Sequence, residues 1–456
     1  MADVSGEAGQ QPVRGAQIRK VAAASFIGTT IEWYDFFVYG TAAALVFGVL
    51  FFPEFSPTAG TLAAFSTFAV GFFARPVGGV IFGHYGDRIG RKTMLILALM
   101  IMGVATVGIG LLPTYESIGV WAPILLVLLR FCQGLGIGGE WGGAVLMAVE
   151  HAPPGKRGFY GSWPQMGVPA GLILANIAFL AVAALPEEAF LAWGWRVPFI
   201  ASIVLVVVGL FIRLAIMESP SFHRVQESNT QARIPIVDVL RMFPKQVLLA
   251  AGAFIVINAY FYILVSYLIN YATEAAGMSR PEILTILVIS SVVSFFAIPA
   301  FAMLSDRVGR RPLYLVGCVL MGISAFPLFW ATDTASFWLV LPAHIFGLGA
   351  LSIAYGPQAA MYAEAFATRV RYSGISLGYQ GGSIFGGALA PIIATSLFAA
   401  TGTSTSIALY VLAIAVLSFV CAYLFTETYQ TDIDAEHEAE KRLIEEAKEA
   451  EEAARR

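Results

Sequence analysis

The sequence predicts an all-α polytopic membrane protein with twelve transmembrane helices in two six-helix halves. Three observations predict it. Of 456 residues, 58% are hydrophobic and only 12% charged, with a mean hydropathy of +0.76, a balance far outside that of a soluble chain of this length. Apolar runs of about 20 residues, enough to cross a hydrocarbon core of about 30 Å, recur along the whole chain. Two charged motifs each occur twice at nearly one separation.

The runs lie at 21–48, 58–83, 93–113, 121–149, 158–183, 196–216, 246–272, 282–304, 312–332, 336–362, 372–399 and 404–426. Residues 1–20 are polar and lack an apolar core leading to a small-residue cleavage site, so no cleaved signal peptide is expected and insertion begins at the first span. Cys132, Cys318 and Cys421 sit in apolar segments without metal-ligand spacing, which argues for packing and against disulfides, metal or redox chemistry.

Lys and Arg assign the two sides. All but four of the 27 fall in alternate segments that include both tails; Arg196 and Arg280 lie on the other side, and Arg75 and Arg130 lie inside spans. Positive-inside bias places both termini in the cytoplasm, and so complete an asymmetry supports an even number of spans.

The repeats divide the chain. GHYGDRIGRK at 83–92 and AMLSDRVGRR at 302–311 put Asp87 and Asp306 219 residues apart; Glu150 precedes Arg157 by seven residues, as Glu364 precedes Arg371. Two motifs at almost one offset imply duplicated halves at 21–216 and 246–427. Between them, 217–245 is a polar cytoplasmic linker expected to form short interfacial helices. After it, 428–456 carries ten acids against five bases and reads as an exposed helix or disordered tail.

Charges inside the spans point to function, because an ionisable group at bilayer depth is costly unless it faces a partner or water. Span four holds Arg130 and Glu140 together with Gly134, Gly138 and Gly142, a small-residue stripe that admits another helix or a ligand. At a rise of 1.5 Å per residue, Asp35 and Arg130 fall on the extracellular side of centre, and Glu32, Arg75 and Glu140 nearer the midplane. Glu32 and Asp35 share a helix face. A carboxylate beside an arginine in a low dielectric titrates differently when the pair is broken, so Asp35 with Arg130 forms a candidate proton-coupling pair, with Glu32 and Glu140 as further candidates; the alternative is a static salt bridge. Arg75 either forks a substrate carboxylate or neutralises Glu32 or Glu140. Trp141, Trp33, Tyr34, Gln165, Asn258, Tyr262, Gln358, Tyr379 and Gln380 are candidates for the cavity wall; the aromatic ones also suit interfacial anchoring.

These residues resemble the major facilitator superfamily and, within it, the metabolite:proton symporter family. The superfamily signal is the loop Gly83, Asp87, Arg88, Gly90, Arg91 and Lys92, with its degenerate copy Asp306, Arg307, Gly309, Arg310 and Arg311. The narrower signal is IEWYDFFVYG at 31–40, ARPVGG at 74–79 and GIGGEWGGA at 136–144. The resemblance covers about 20–427. It implies uptake of a small polar metabolite (a dicarboxylate, citrate, shikimate, proline or betaine) together with a proton. Asp35 on span one and Arg130 on span four, followed by glycines, are also similar to the proton pair of the sugar-porter relatives. Gly83, Asp87, Arg88, Gly90, Arg91, Glu150 and Arg157, with Asp306, Arg307, Arg310, Glu364 and Arg371, are expected at cytoplasmic helix ends, where charge networks time opening or simply set orientation. Osmosensing betaine carriers of this family look to have a long C-terminal coiled coil, whereas this tail has no sustained heptad.

The resulting expectation is a proton-coupled symporter in the cell membrane, taking up an organic acid or zwitterion. It needs no cofactor or metal, and its partners are a small molecule, protons and the lipid bilayer. No nucleic-acid partner is expected, and the chain is read as a monomer. A proton-driven exporter or drug antiporter on the same scaffold is the alternative. An enzyme is not expected: no nucleophilic triad, metal cluster or phosphate loop stands out, and GLGIGG lies inside an apolar helix rather than at a strand-to-helix turn.

Overall fold

The computed structural model of the chain describes residues 10–89, 91–138, 141–150, 152–153, 155–215, 235–366, 371–427 and 429. Among the described residues every regular element is helical. Helices long and apolar enough to cross a membrane run Ala23–Phe51, Pro57–Phe82, Trp121–Leu146, Arg157–Ala183, Glu187–Ile212, Pro244–Ala275, Arg280–Val308, Arg310–Thr332, Phe337–Glu364, Ser373–Thr401 and Thr405–Leu424. The helix Arg91–Leu111, whose apolar part is Ile96–Leu111, is span three of the twelve. Span six begins earlier than the apolar pattern suggests, because Glu187 and Glu188 open a short helix that runs into it. Most of 217–245 and nearly all of 428–456 lie outside the described residues; the described part of the linker, 235–245, holds the helix Pro235–Met242.

Helix ends follow their local chemistry. Ser279 starts span eight with a capping box: its hydroxyl accepts from the Glu282 amide, and the Glu282 carboxylate accepts from the Ser279 amide at 2.9 Å. Between spans eight and nine, Gly309 has φ +99°, and a Cβ there would also lie 2.8 Å from Glu427 Oε2, so the turn requires glycine.

Span one packs against span five, span two against four, and span three against four and six; span seven packs against eleven and twelve, eight against ten, and nine against ten and twelve. Between the first six and the last six spans, contact runs chiefly from span five to eight and ten and from span two to eleven. Spans one, seven and eleven each contain π-helical turns, Ala43–Phe47, Ile263–Tyr267 with Tyr271–Ala275, and Ile384–Ala388, irregularities often found at functional positions.

The glycine stripe of span four is a packing groove. A Cβ on Gly134 would strike the Gly71 carbonyl and one on Gly138 the Arg75 carbonyl, so the two backbones touch where Arg75 and Arg130 leave them. Gly71 has a second task, since a Cβ there would lie 2.6 Å from Arg130 Nε.

Backbone contact leaves no room to relax. Gly134→Val should destabilise the folded protein by at least about 2 kcal/mol, seen as a lower thermal midpoint in detergent. Gly349→Ala meets nothing within 4 Å and should be neutral or mildly stabilising. Equal behaviour of the two variants would contradict the packing account.

Candidate transport site

Two adjoining cavities lie among the spans, and Trp33 of span one and Tyr379 of span eleven line both. The larger is walled by apolar side chains such as Phe254, Phe261 and Leu351, with Asn258, Ser291 and Tyr355 as polar points. The smaller is the more polar of the two: Thr29, Glu32, Arg75 and Gln380 line it together with Trp141 and Ile137. A stack of three rings divides them, Trp141 on Tyr379 with centroids 3.8 Å apart and Tyr379 on Phe254 at 4.3 Å.

Arg75 is 1% exposed and lies over Phe72 at 4.4 Å and Phe36 at 4.5 Å. Among the described residues its Nε and Nη2 have no hydrogen-bond partner, and its side chain lines the smaller cavity. Arg130, fully buried, lies over Phe36 and Tyr39 at 4.2 Å each and over Phe68 at 4.7 Å, and Nη1 donates to Gln133 Oε1 at 2.9 Å. Gln133 Nε2 in turn donates to the Thr106 hydroxyl at 2.7 Å, and Thr106 donates to the Met102 carbonyl at 2.9 Å.

The expected direct pair between Asp35 and Arg130 is therefore not formed. Asp35 is fully buried, neither carboxylate oxygen has a hydrogen-bond partner among the described residues, and its side-chain neighbour is Thr106, so the polar route to Arg130 runs through Thr106 and Gln133. Aromatic faces around the guanidinium take the place an ion pair was expected to fill. Gln133, one helical turn beyond Arg130, was legible as a same-face partner; Thr106 on span three carried no sequence signal.

Of the wall candidates, Asn258, Tyr379, Trp141, Gln380 and Trp33 line the cavities. Tyr34 does not: its hydroxyl donates to the Pro198 carbonyl on span six at 2.7 Å, which makes it a packing residue. Gln165, Gln358 and Tyr262 are buried but line neither cavity; Tyr262 packs within the Phe36, Phe68 and Phe72 cluster. Glu140 and Gly90 lie outside the described residues, as do the side chains of Asp87, Arg88, Arg91, Glu150 and Arg371 and the surroundings of Gly83.

The two ends of the bundle are tied differently. At one end Asp306 accepts from the backbone amides of Gly158 at 2.8 Å and Phe159 at 3.1 Å, capping the start of span five from the end of span eight. Arg310 holds Asp306 at 2.7 Å and Glu364 at 3.2 Å, while Arg307 is exposed and Arg157 begins span five. At the other end Arg280 meets Glu187 at 2.7 Å, Asn270 donates to the Ala44 carbonyl at 3.2 Å, and Asp333 joins Ser404 at 2.6 Å and Tyr271. The Glu187 side chain is 61% exposed, so that pair is worth at most about 1 kcal/mol, and the buried Asp306 network is the firmer tie.

The family profile described as Major Facilitator Superfamily matches residues 25–379 and 269–453. The chain is 43% identical over 420 residues to the inner membrane metabolite transport protein YhjE of Escherichia coli K12, covering 90% of this chain and 94% of that one. It is 43% identical over 425 residues to the shikimate transporter of the same strain, covering 91% and 95%, and 32% identical to its proline/betaine transporter, covering 90% and 84%. Among solved structures, the proton:xylose symporter XylE bound to 6-bromo-6-deoxy-D-glucose superposes with a TM-score of 0.73 at 18% identity, covering 92% of this chain and 99% of that one.

Removing the Asp306 charge should loosen one end alone. Asp306→Asn keeps the size but loses charge-assisted capping of about 1.5–3 kcal/mol, so a cysteine placed at Gln380 should become about tenfold or more accessible to a thiol reagent from that end. Unchanged labelling would show that the capping does not control access.

Proposed function

The chain belongs to the major facilitator superfamily, and from that premise we propose that it is a proton-coupled symporter taking up a small organic acid or zwitterion by alternating access. That it is a multi-pass membrane transporter of small molecules follows from its relatives; the proton, the substrate class and the direction are the proposal. We place both termini in the cytoplasm on the one-sided distribution of Lys and Arg, and the unit as a monomer in the bilayer.

One observation carries the substrate class: a buried guanidinium with unused donors borders a polar cavity that adjoins an apolar one. A carboxylate head would sit at Arg75, with Gln380 and Thr29 beside it, and the uncharged body would lie past the Trp141 and Tyr379 rings among Phe254, Asn258 and Tyr355. The names of the shikimate and proline/betaine relatives agree with such a head and body. The apolar wall of the larger cavity also suits a drug antiporter. Against that reading stands Arg75, whose desolvation is compensated when an anion completes its fork.

The proton step follows from hydrogen-bond valence. Thr106 donates to Met102 and accepts from Gln133, which in turn accepts from Arg130, so a proton gained or lost at the neighbouring Asp35 acts on Arg130 through Thr106 and Gln133. Once the proton leaves, the carboxylate needs a donor, and rearrangement toward Arg130 through Gln133 supplies one.

Two outcomes are expected in proteoliposomes under an imposed pH gradient, with a labelled metabolite panel identifying the substrate. Asp35→Asn should abolish uphill accumulation while counterflow, which need not release the proton, survives; accumulation at the wild-type level would make Asp35 structural. Arg75→Lys, lacking the bidentate fork, should raise the KM for a carboxylate about 10- to 100-fold, and an unchanged KM would remove Arg75 from the binding site.

A further inference from the structure

Phe36 lines neither cavity, yet both buried arginines rest on its ring. The Cζ atoms of Arg75 and Arg130 lie 4.5 and 4.2 Å from its centroid. Each guanidinium also has aromatic partners of its own: Arg75 has Phe72 at 4.4 Å and Trp33 at 5.7 Å, and Arg130 has Tyr39 at 4.2 Å and Phe68 at 4.7 Å. Phe36 is the aromatic residue they share among the described residues. It is 1% exposed, follows Asp35 directly, and is wedged by Phe68 at 5.0 Å, Phe72 at 5.4 Å and Tyr262 at 5.8 Å, so it cannot swing aside without moving span two or span seven.

Two cations on one ring are not independent. Arg75 and Arg130 are electrostatic neighbours, and like charges in a dry interior repel strongly. A ring's quadrupole attracts each cation, and drawing one away leaves the other better held. By linkage the effect is reciprocal: whatever shifts Arg75 changes the seat of Arg130, and the reverse.

We propose that the Phe36 ring, shared by the two guanidiniums, is the positioning residue that couples an anion at Arg75 to the proton at Asp35. The inference rests on the symport reading above. A substrate carboxylate completes the Arg75 fork and draws that guanidinium toward the polar cavity, off the ring. Arg130 then settles more firmly on Phe36, and its hydrogen bond to Gln133 changes. That change passes through Thr106 to Asp35. No bond is made or broken; the ring transmits position and charge.

The test separates coupling from binding. In Phe36→Leu the ratio of substrate accumulated to pH gradient imposed should fall about tenfold, within the usual range of coupling between two sites, while counterflow continues. Phe36→Tyr keeps the ring face and should restore the ratio. Phe72→Leu removes a partner of Arg75 alone and should raise KM with coupling retained. A series of mono-, di- and trifluorinated phenylalanines at position 36 preserves shape while draining the ring face, and should lower the accumulation ratio step by step. Should Phe36→Leu fail to fold, the fluorinated series decides. Wild-type accumulation in Phe36→Leu, or a ratio indifferent to fluorination, overturns the proposal while symport stands. Absence of pH-driven accumulation of any metabolite in the unsubstituted protein removes symport itself, and with it this inference.

Discussion

Two guanidiniums held at bilayer depth, each on aromatic rings and without a described carboxylate within 4 Å, are the constraint on which the arrangement of spans one, two and four depends. A cation removed from water needs a compensating field, and quadrupole faces supply one without immobilising an opposite charge. The cost falls on the backbone. Gly71 clears room for Arg130, and Gly134 and Gly138 bring span four onto span two so closely that both arginines reach the Phe36 ring on span one.

The same economy governs the two ends. Asp306 closes the space between spans eight and five with backbone amides at a helix start, an interaction that needs Gly158 because a Cβ would lie 2.5 Å from the Ala302 carbonyl. The opposite end uses an exposed ion pair and a few polar contacts. Unequal ties give unequal barriers, so opening at the Glu187 and Arg280 end costs less than opening at the Asp306 end.

Much of this was legible in the sequence because the bilayer imposes a one-dimensional code. Hydrocarbon thickness sets span length, and span six was misjudged where Glu187 and Glu188 interrupt the apolar run at its mouth. Buried charge marked Asp35, Arg75 and Arg130 correctly as interior groups. What periodicity could not give is the partner. Asp35 and Arg130 share a depth, but pairing depends on rotation about each helix and on what occupies the space between them; here Thr106 and Gln133 do. Tyr34 illustrates the same limit: it lies one residue from both Trp33 and Asp35, yet the helix turn sends its hydroxyl to Pro198 on span six instead of the cavity.

Phe36, Phe68 and Phe72 were invisible for a different reason. In an apolar span phenylalanine is the expected residue, so no sequence pattern distinguishes a ring that faces lipid from one that carries a cation. The distinction is one of neighbours: Phe73, next to Phe72, is 52% exposed on the outside of the bundle, while Phe72 lies fully buried over Arg75. Each residue step turns a helix by about 100°, so adjacent phenylalanines meet lipid and guanidinium respectively. The apolar residues of such a carrier are thus part of its electrostatics, and the charges visible in the sequence show where that electrostatics acts without showing what conducts it.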